Sequence, residues 1–143
     1  MRVSDVMTAD PTCCSPETTV REAAELMADN DCGCLPVVDD ARHVVGVVTD
    51  RDITCRCVAQ GKDPETPVAE VMTSQASCCG PDDDVDEVAR IMSDSKIRRV
   101  PVVDAGGCCV GMVAQADLAR TDQQQAGNVV GEVSEQSQSS SRA

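Results

Sequence analysis

Apolar residues recur at intervals of three and four at Val20, Ala23, Ala24 and Met27, and again at Val85, Val88, Ile91 and Met92. Each set makes one apolar stripe, so both segments are predicted as amphipathic helices. Thr19 with Glu22 has the form of a capping box, and Asp84 with Glu87 follows the same logic. After each helix the period changes to β-rich runs: Leu35-Pro36-Val37-Val38 then Val44 to Val48, and Val100-Pro101-Val102-Val103 then Cys109 to Val113. The polar stretches at 39–42 and 104–107 between these runs predict hairpin turns. Runs that are apolar on both faces predict sheets covered on both sides. A further helix is expected to open at Thr49 or Asp50, and its counterpart near Gln115.

The two sets of elements are copies. Val3 to Ile53 lies over Val68 to Leu118 at a constant offset of 65 residues without a gap, and 20 of the 51 pairs are identical. A unit of about 50 residues buries too little surface to be comfortable alone, so the copies are expected to share one core. Related halves create a pseudo-twofold interface with a cleft on each side, the first place to look for a ligand. The repeats are assigned to residues 1–60 and 68–120, with a Gly- and Pro-containing linker at 61–67. The Gln/Ser-rich tail at 121–143 lacks the apolar content to order itself and is expected to be disordered.

Composition narrows the function classes. The 143 residues are 41% hydrophobic but include no Phe, Tyr or Trp, so the core must be aliphatic and a bound base cannot stack on a ring. With 25 acidic against 12 basic residues the net charge is −13, which argues against nucleic acid as a partner. No run reaches the roughly 18 apolar residues of a membrane span, and the N-terminus lacks a signal-peptide pattern, so a cytoplasmic location is expected. Ten cysteines come as close couples without C-x-x-C spacing, which reads as small buried hydrophobes, with metal or redox roles as the alternative. His43 is the only histidine and is expected at a surface edge, with metal binding beside a cysteine as the other option. Neither a phosphate-cradling Gly-rich loop nor a nucleophile elbow occurs, so the chain is not read as an enzyme.

The duplicated clusters are Val6-Met7-Thr8 on Val71-Met72-Thr73, Cys13-Cys14-x-Pro16 on Cys78-Cys79-x-Pro81, Pro36 to Asp39 on Pro101 to Asp104, and Val45-Gly46-x-Val48 on Val110-Gly111-x-Val113. In this order and spacing they resemble a pair of CBS (cystathionine β-synthase-type) domains, the Bateman module, as found in bacterial stand-alone CBS-pair proteins. The resemblance implies an α/β fold of two β-α-β-β-α repeats packed with pseudo-twofold symmetry. It also implies regulatory binding of an adenosyl compound (AMP, ADP, ATP or S-adenosylmethionine) between the repeats, and a homodimer. Within Gly46-Val47-Val48-Thr49-Asp50-Arg51-Asp52, Thr49 matches the family's phosphate or ribose contact and Asp52 its ribose carboxylate. A carboxylate suits a vicinal diol, and a helix opening at Thr49 would offer backbone N–H groups to a phosphate. The alternative is that Thr49 or Asp50 only caps that helix.

The second repeat keeps Asp117 but has Ala114 where the hydroxyl should be, so two inequivalent clefts are expected, the one with Thr49 and Asp52 the stronger. Arg98 and Arg99 match the position where the family places cations against phosphate. They read either as a phosphate clamp or as partners of nearby acids on a solvated strand edge. Adenine recognition in the family uses strands that correspond here to Thr12-Cys13-Cys14 with Leu35-Pro36-Val37, and Ser77-Cys78-Cys79 with Val100-Pro101-Val102. The leading reading is therefore a small adenosyl-ligand sensor without a cofactor. A metal- or redox-responsive protein using the cysteine couples, or a ligand-free dimerisation scaffold, are the alternatives.

Overall fold

In the computed structural model, which describes residues 1–120, both predicted helices form with their caps. Helix α1 (Val20–Asn30) opens at Thr19, whose hydroxyl accepts the Glu22 N–H while the Glu22 carboxylate accepts the Thr19 N–H, both at 3.1 Å. The second repeat begins its helix differently. Asp84 accepts from the Asp86 N–H at 2.9 Å, the shorter alternative at an N-cap, and Glu87 is not part of a box. Both helices end on a residue in the left-handed conformation, Asp31 and Lys96.

Strands β2 (Cys34–Val38) and β3 (Val44–Thr49) form a hairpin with Leu35 opposite Val48. Helix α2 (Asp50–Asp52) follows at once and continues as a π-helical stretch, Ile53–Val58. The next strand, β4 (Thr73–Ser74), is only two residues long. Helix α3 (Val85–Ser95) and the hairpin β5 (Arg99–Val103) and β6 (Cys109–Ala114) repeat the plan, and a helix begins again at 115.

The entry segments are exchanged. Strand β1 (Thr8–Ala9) pairs with β6, in the other repeat, and β4 pairs with β3, giving sheets ordered β1-β6-β5 and β2-β3-β4. The 3-10 turn Val3–Asp5 accordingly docks on the second repeat, where Val3 N–H donates to Asp83 O at 2.9 Å. The turn Val68–Glu70 docks on the first, where Val68 N–H donates to Thr18 O at 2.7 Å.

Two cores result, rather than the single shared one expected. Val68 and Val71 complete a cluster with Val20, Ala23, Leu35, Val37 and Val48; Val3 completes one with Val88, Val100, Val102 and Val113. The exchange needs close backbone approach. A Cβ on Gly46 would sit 2.6 Å from Thr73 O, and one on Gly111 would sit 2.5 Å from Met7 Sδ. No helix among the described residues is long and apolar enough to cross a membrane. The tail expected to be disordered, 121–143, lies outside the described residues.

Candidate functional site

Two clefts lie between the repeats, and most of their wall residues correspond across the pseudo-twofold. One, of about 900 Å³, is lined by Thr49 to Asp52 after β3, by Thr73 and Gln75 to Ser77, and by Ser95 to Arg99. The other, of about 750 Å³, is lined by Ala114 to Asp117 after β6, by Thr8 and Asp10 to Thr12, and by Asn30 to Cys34. Arg98, Arg99 and Cys34 border both. We call them the Asp52 and Asp117 clefts.

Thr49 does cap its helix. Its hydroxyl accepts the Asp52 N–H, and Asp52 Oδ2 accepts the Thr49 N–H, each at 3.0 Å. Asp52 Oδ1 faces Arg56 Nε at 3.8 Å, and the carboxylate is only 13% exposed, at the cleft wall. The expectation that this helix start offers free N–H groups to a phosphate is overturned. Asp50 N–H donates to Gly33 O at 2.9 Å and Arg51 N–H to Asp50 Oδ1 at 2.8 Å, so all four amides from 49 to 52 are already engaged. Anion recognition in this cleft therefore falls to side chains: the Thr49 O–H, still available as a donor, and the cations across the cleft.

Asp117 keeps the other half of the arrangement. Its Oδ2 accepts the Ala114 N–H at 2.8 Å, and Oδ1 pairs with Arg120. Among the described residues no acidic side chain makes an ion pair with Arg98 or Arg99, although Arg98 is exposed and Arg99 half-buried. The walls differ in charge. The Asp52 cleft sets Arg51, Lys96, Arg98 and Arg99 against Asp50 and Asp52. The Asp117 cleft sets Arg98, Arg99 and Arg120 against Asp10, Asp31 and Asp117.

The remaining sequence candidates divide. Thr12 lines the Asp117 cleft. Leu35, Pro36, Val100 and Pro101 are fully buried and line neither cleft; Leu35 and Val100 point into the two cores, while Pro36 and Pro101 are buried on the opposite face of their strands. Cys13 and Cys78 are half-buried beside the entry strands and are also off the cleft walls. Sequence reading passed over Lys96, Gln75 and Ser77 as individual residues. Their repeat-mates Asp31, Asp10 and Thr12 occupy equivalent positions, so the offset of 65 was the signal that could have found them. His43 lies at a hairpin edge, half exposed, with Nδ1 3.3 Å from Asp39 Oδ2. No three His, Cys, Asp or Glu side chains among the described residues are placed to hold a metal ion.

The family model for the CBS domain matches residues 3–57 and 68–123. The chain belongs to the CBS-domain family. The CBS domain-containing protein YhcV of Bacillus subtilis (strain 168) is 38% identical over 136 residues, 94% of this chain and 96% of that relative. Among solved structures, the CBS domain pair of protein MJ0100 in complex with 5'-methylthioadenosine and S-adenosyl-L-methionine is similar with a TM-score of 0.81 and 30% identity. CBSX2 in complex with AMP is similar with a TM-score of 0.76 and 28% identity. Each similarity covers 87% of this chain and 98% of the other. The CBS pair is thus the whole of the described fold, and its clefts lie between repeats that have exchanged their entry strands.

Proposed function

We propose that this CBS pair is a regulatory, non-catalytic module that binds a phosphorylated adenosine nucleotide in the Asp52 cleft. The observation that carries the reading is four cationic side chains gathered around a nearly buried carboxylate. Asp52 accepts the ribose hydroxyls, and the Thr49 O–H donates to a phosphate oxygen. Arg98 and Arg99, together with Lys96, neutralise the phosphate; guanidinium groups match its oxygens bidentately. The AMP complex of CBSX2 supports the ligand class. The Asp117 cleft lacks the hydroxyl and balances its charges, so it takes the same nucleotide more weakly. One lost hydrogen bond corresponds to about 1 kcal/mol. Occupancy shifts the angle between repeats as far as the ligand's affinities for the two arrangements differ. We further infer a cytoplasmic homodimer, checked by light scattering.

Thermal unfolding with AMP, ADP, ATP and S-adenosylmethionine tests the assignment. A nucleotide at 100 times its Kd stabilises the fold by about 2.7 kcal/mol. Asp52→Asn retains an oxygen for the Thr49 N–H but loses the charge, and should weaken binding about tenfold. Asp117→Asn should leave the main response intact. An unmoved melting temperature with all four ligands sinks the proposal.

A further inference from the structure

The ten cysteines are not equivalent. In each couple one thiol is buried, at Cys14, Cys34, Cys57, Cys79 and Cys109, and the other is half-buried or exposed. Burial pushes Cys14 up to about 11 and Cys34 and Cys79 up to about 12, so these are inert hydrophobes near neutrality.

Cys13 is different, and the difference is built by the strand exchange. Asp10 N–H donates to Val110 O at 3.2 Å, which lays the residues after β1 beside the start of β6. Cys13 and Cys109, from different repeats, set their thiols near each other, the Cys13 thiol donating to Pro11 O at 3.3 Å and the Cys109 thiol to Gly111 O at 3.6 Å. Arg42 reaches over from the first hairpin, its Nη2 3.9 Å from Cys13 Sγ. Arg42 is itself fixed there, because its carbonyl accepts the Cys109 N–H at 3.0 Å. The neighbouring Cys109 thiol, and then the Arg42 guanidinium, lower the Cys13 thiol to about 7, while Cys109 is pushed up and keeps its proton. The pseudo-twofold supplies a control. Cys78 is the repeat-mate of Cys13, but the mate of Arg42 is Gly107, so no guanidinium is supplied there, and its thiol is raised by burial and then by Cys109.

We propose that Cys13 and Cys109 are a peroxide-sensitive dithiol that closes to a disulfide between the two repeats. The Cys13 thiolate attacks one oxygen of a hydroperoxide. The O–O bond breaks, the leaving oxygen takes a proton as water or alcohol, and Cys13 becomes a sulfenic acid. The Cys109 sulfur then attacks the Cys13 sulfur. The S–S bond forms, the S–O bond breaks, and the hydroxyl leaves as water with the Cys109 proton. Two thiols have then lost two electrons to the peroxide, and a small-molecule dithiol reverses the change. Only the half-buried Cys13 has to meet the oxidant; Cys109, 3% exposed, serves as the resolving thiol. The disulfide anchors the segment whose Asp10, Pro11 and Thr12 wall the Asp117 cleft, so oxidation stiffens one cleft and leaves the other. The inference stands apart from nucleotide binding in the Asp52 cleft.

The test treats the full chain with hydrogen peroxide, alkylates remaining thiols, and maps linked peptides by mass spectrometry without reduction. A Cys13–Cys109 linkage that dithiothreitol reverses is expected. Before oxidation, Cys13 should alkylate at least about tenfold faster than Cys78 at neutral pH. Arg42→Ala should slow both reactions several-fold while the protein keeps its circular dichroism. In Cys109→Ser the sulfenic acid should persist and be captured by dimedone. Cys13 and Cys109 both remaining free after oxidation, or Cys13 and Cys78 alkylating at one rate, overturns the proposal.

Discussion

At the scale of single residues, one pair of side chains fits two duties, one of them the cap and the other the proposed ligand grip. The T-x-x-D spacing of Thr49 and Asp52 describes both a helix cap and a ligand grip, and the structure uses the same atoms for the cap. The spacing therefore could not separate the duties; that Arg98 and Arg99 form no ion pair with an acidic side chain among the described residues was visible only once the strands were placed. The thiols give a sharper forecast. Cys14, Cys34 and Cys79 ionise at about 11 to 12 when folded but near 9.0 when exposed. The unfolded chain thus loses these protons first, and stability present below pH 9 falls as pH rises towards 11. Cys13, lowered to about 7, has the opposite sign: its contribution is present above pH 9 and is lost as pH falls through 7. Urea midpoints should rise between pH 7 and 9 and then decline. Cys13→Ala should flatten the rise, and Cys14→Ala with Cys79→Ala the decline. Midpoints that keep the parent's pH profile in these variants sink the assignment.

At the scale of elements, the helices and the long hairpins were legible because eleven-residue stripes and five-residue apolar runs carry a period. The exchanged strands were not. Each is two residues long, too short for alternation to register, and the pairing partner lies about 100 or 27 residues away along the chain. The clue lay in the glycines. Gly46 and Gly111 are repeat-mates inside strands where a β-branched residue would otherwise be favoured. Each lets the other repeat's entry strand close in. A methyl group on Gly46 meets backbone at Thr73, which cannot give way, so Gly46→Ala should cost about 1–3 kcal/mol. On Gly111 the nearest atom belongs to the flexible Met7 side chain, and Gly111→Ala should cost less. Denaturant melts of the two variants compare them directly. Equal losses would mean that the Met7 side chain yields no more readily than the Thr73 backbone.

At the scale of the whole molecule, exchange makes each half incomplete without the other. A chain cut after Lys62 leaves the first repeat without Val68, Val71 and its third strand, and the second without Val3 and β1. Each of these valines is fully buried, and losing one removes about 1.5–3 kcal/mol of burial. Unpaired edges on β3 and β6 add to the deficit. A half-module of about 60 residues with an aliphatic core has little stability to lose. Residues 1–62 and 63–143, made separately, should therefore lack a cooperative melt, and an equimolar mixture should recover the circular dichroism of the intact chain. The intact chain should unfold in one transition, since neither core survives departure of the other's entry segment. A first fragment that melts cooperatively alone, near the parent temperature, would show that its core does not need Val68 and Val71. If the halves are mutually dependent as described, the clefts between them are walled by the same segments that hold the fold together. In the proposed reading, a ligand that pulls on Asp52 and Arg99 acts on the joint itself, so its occupancy would be felt by both repeats.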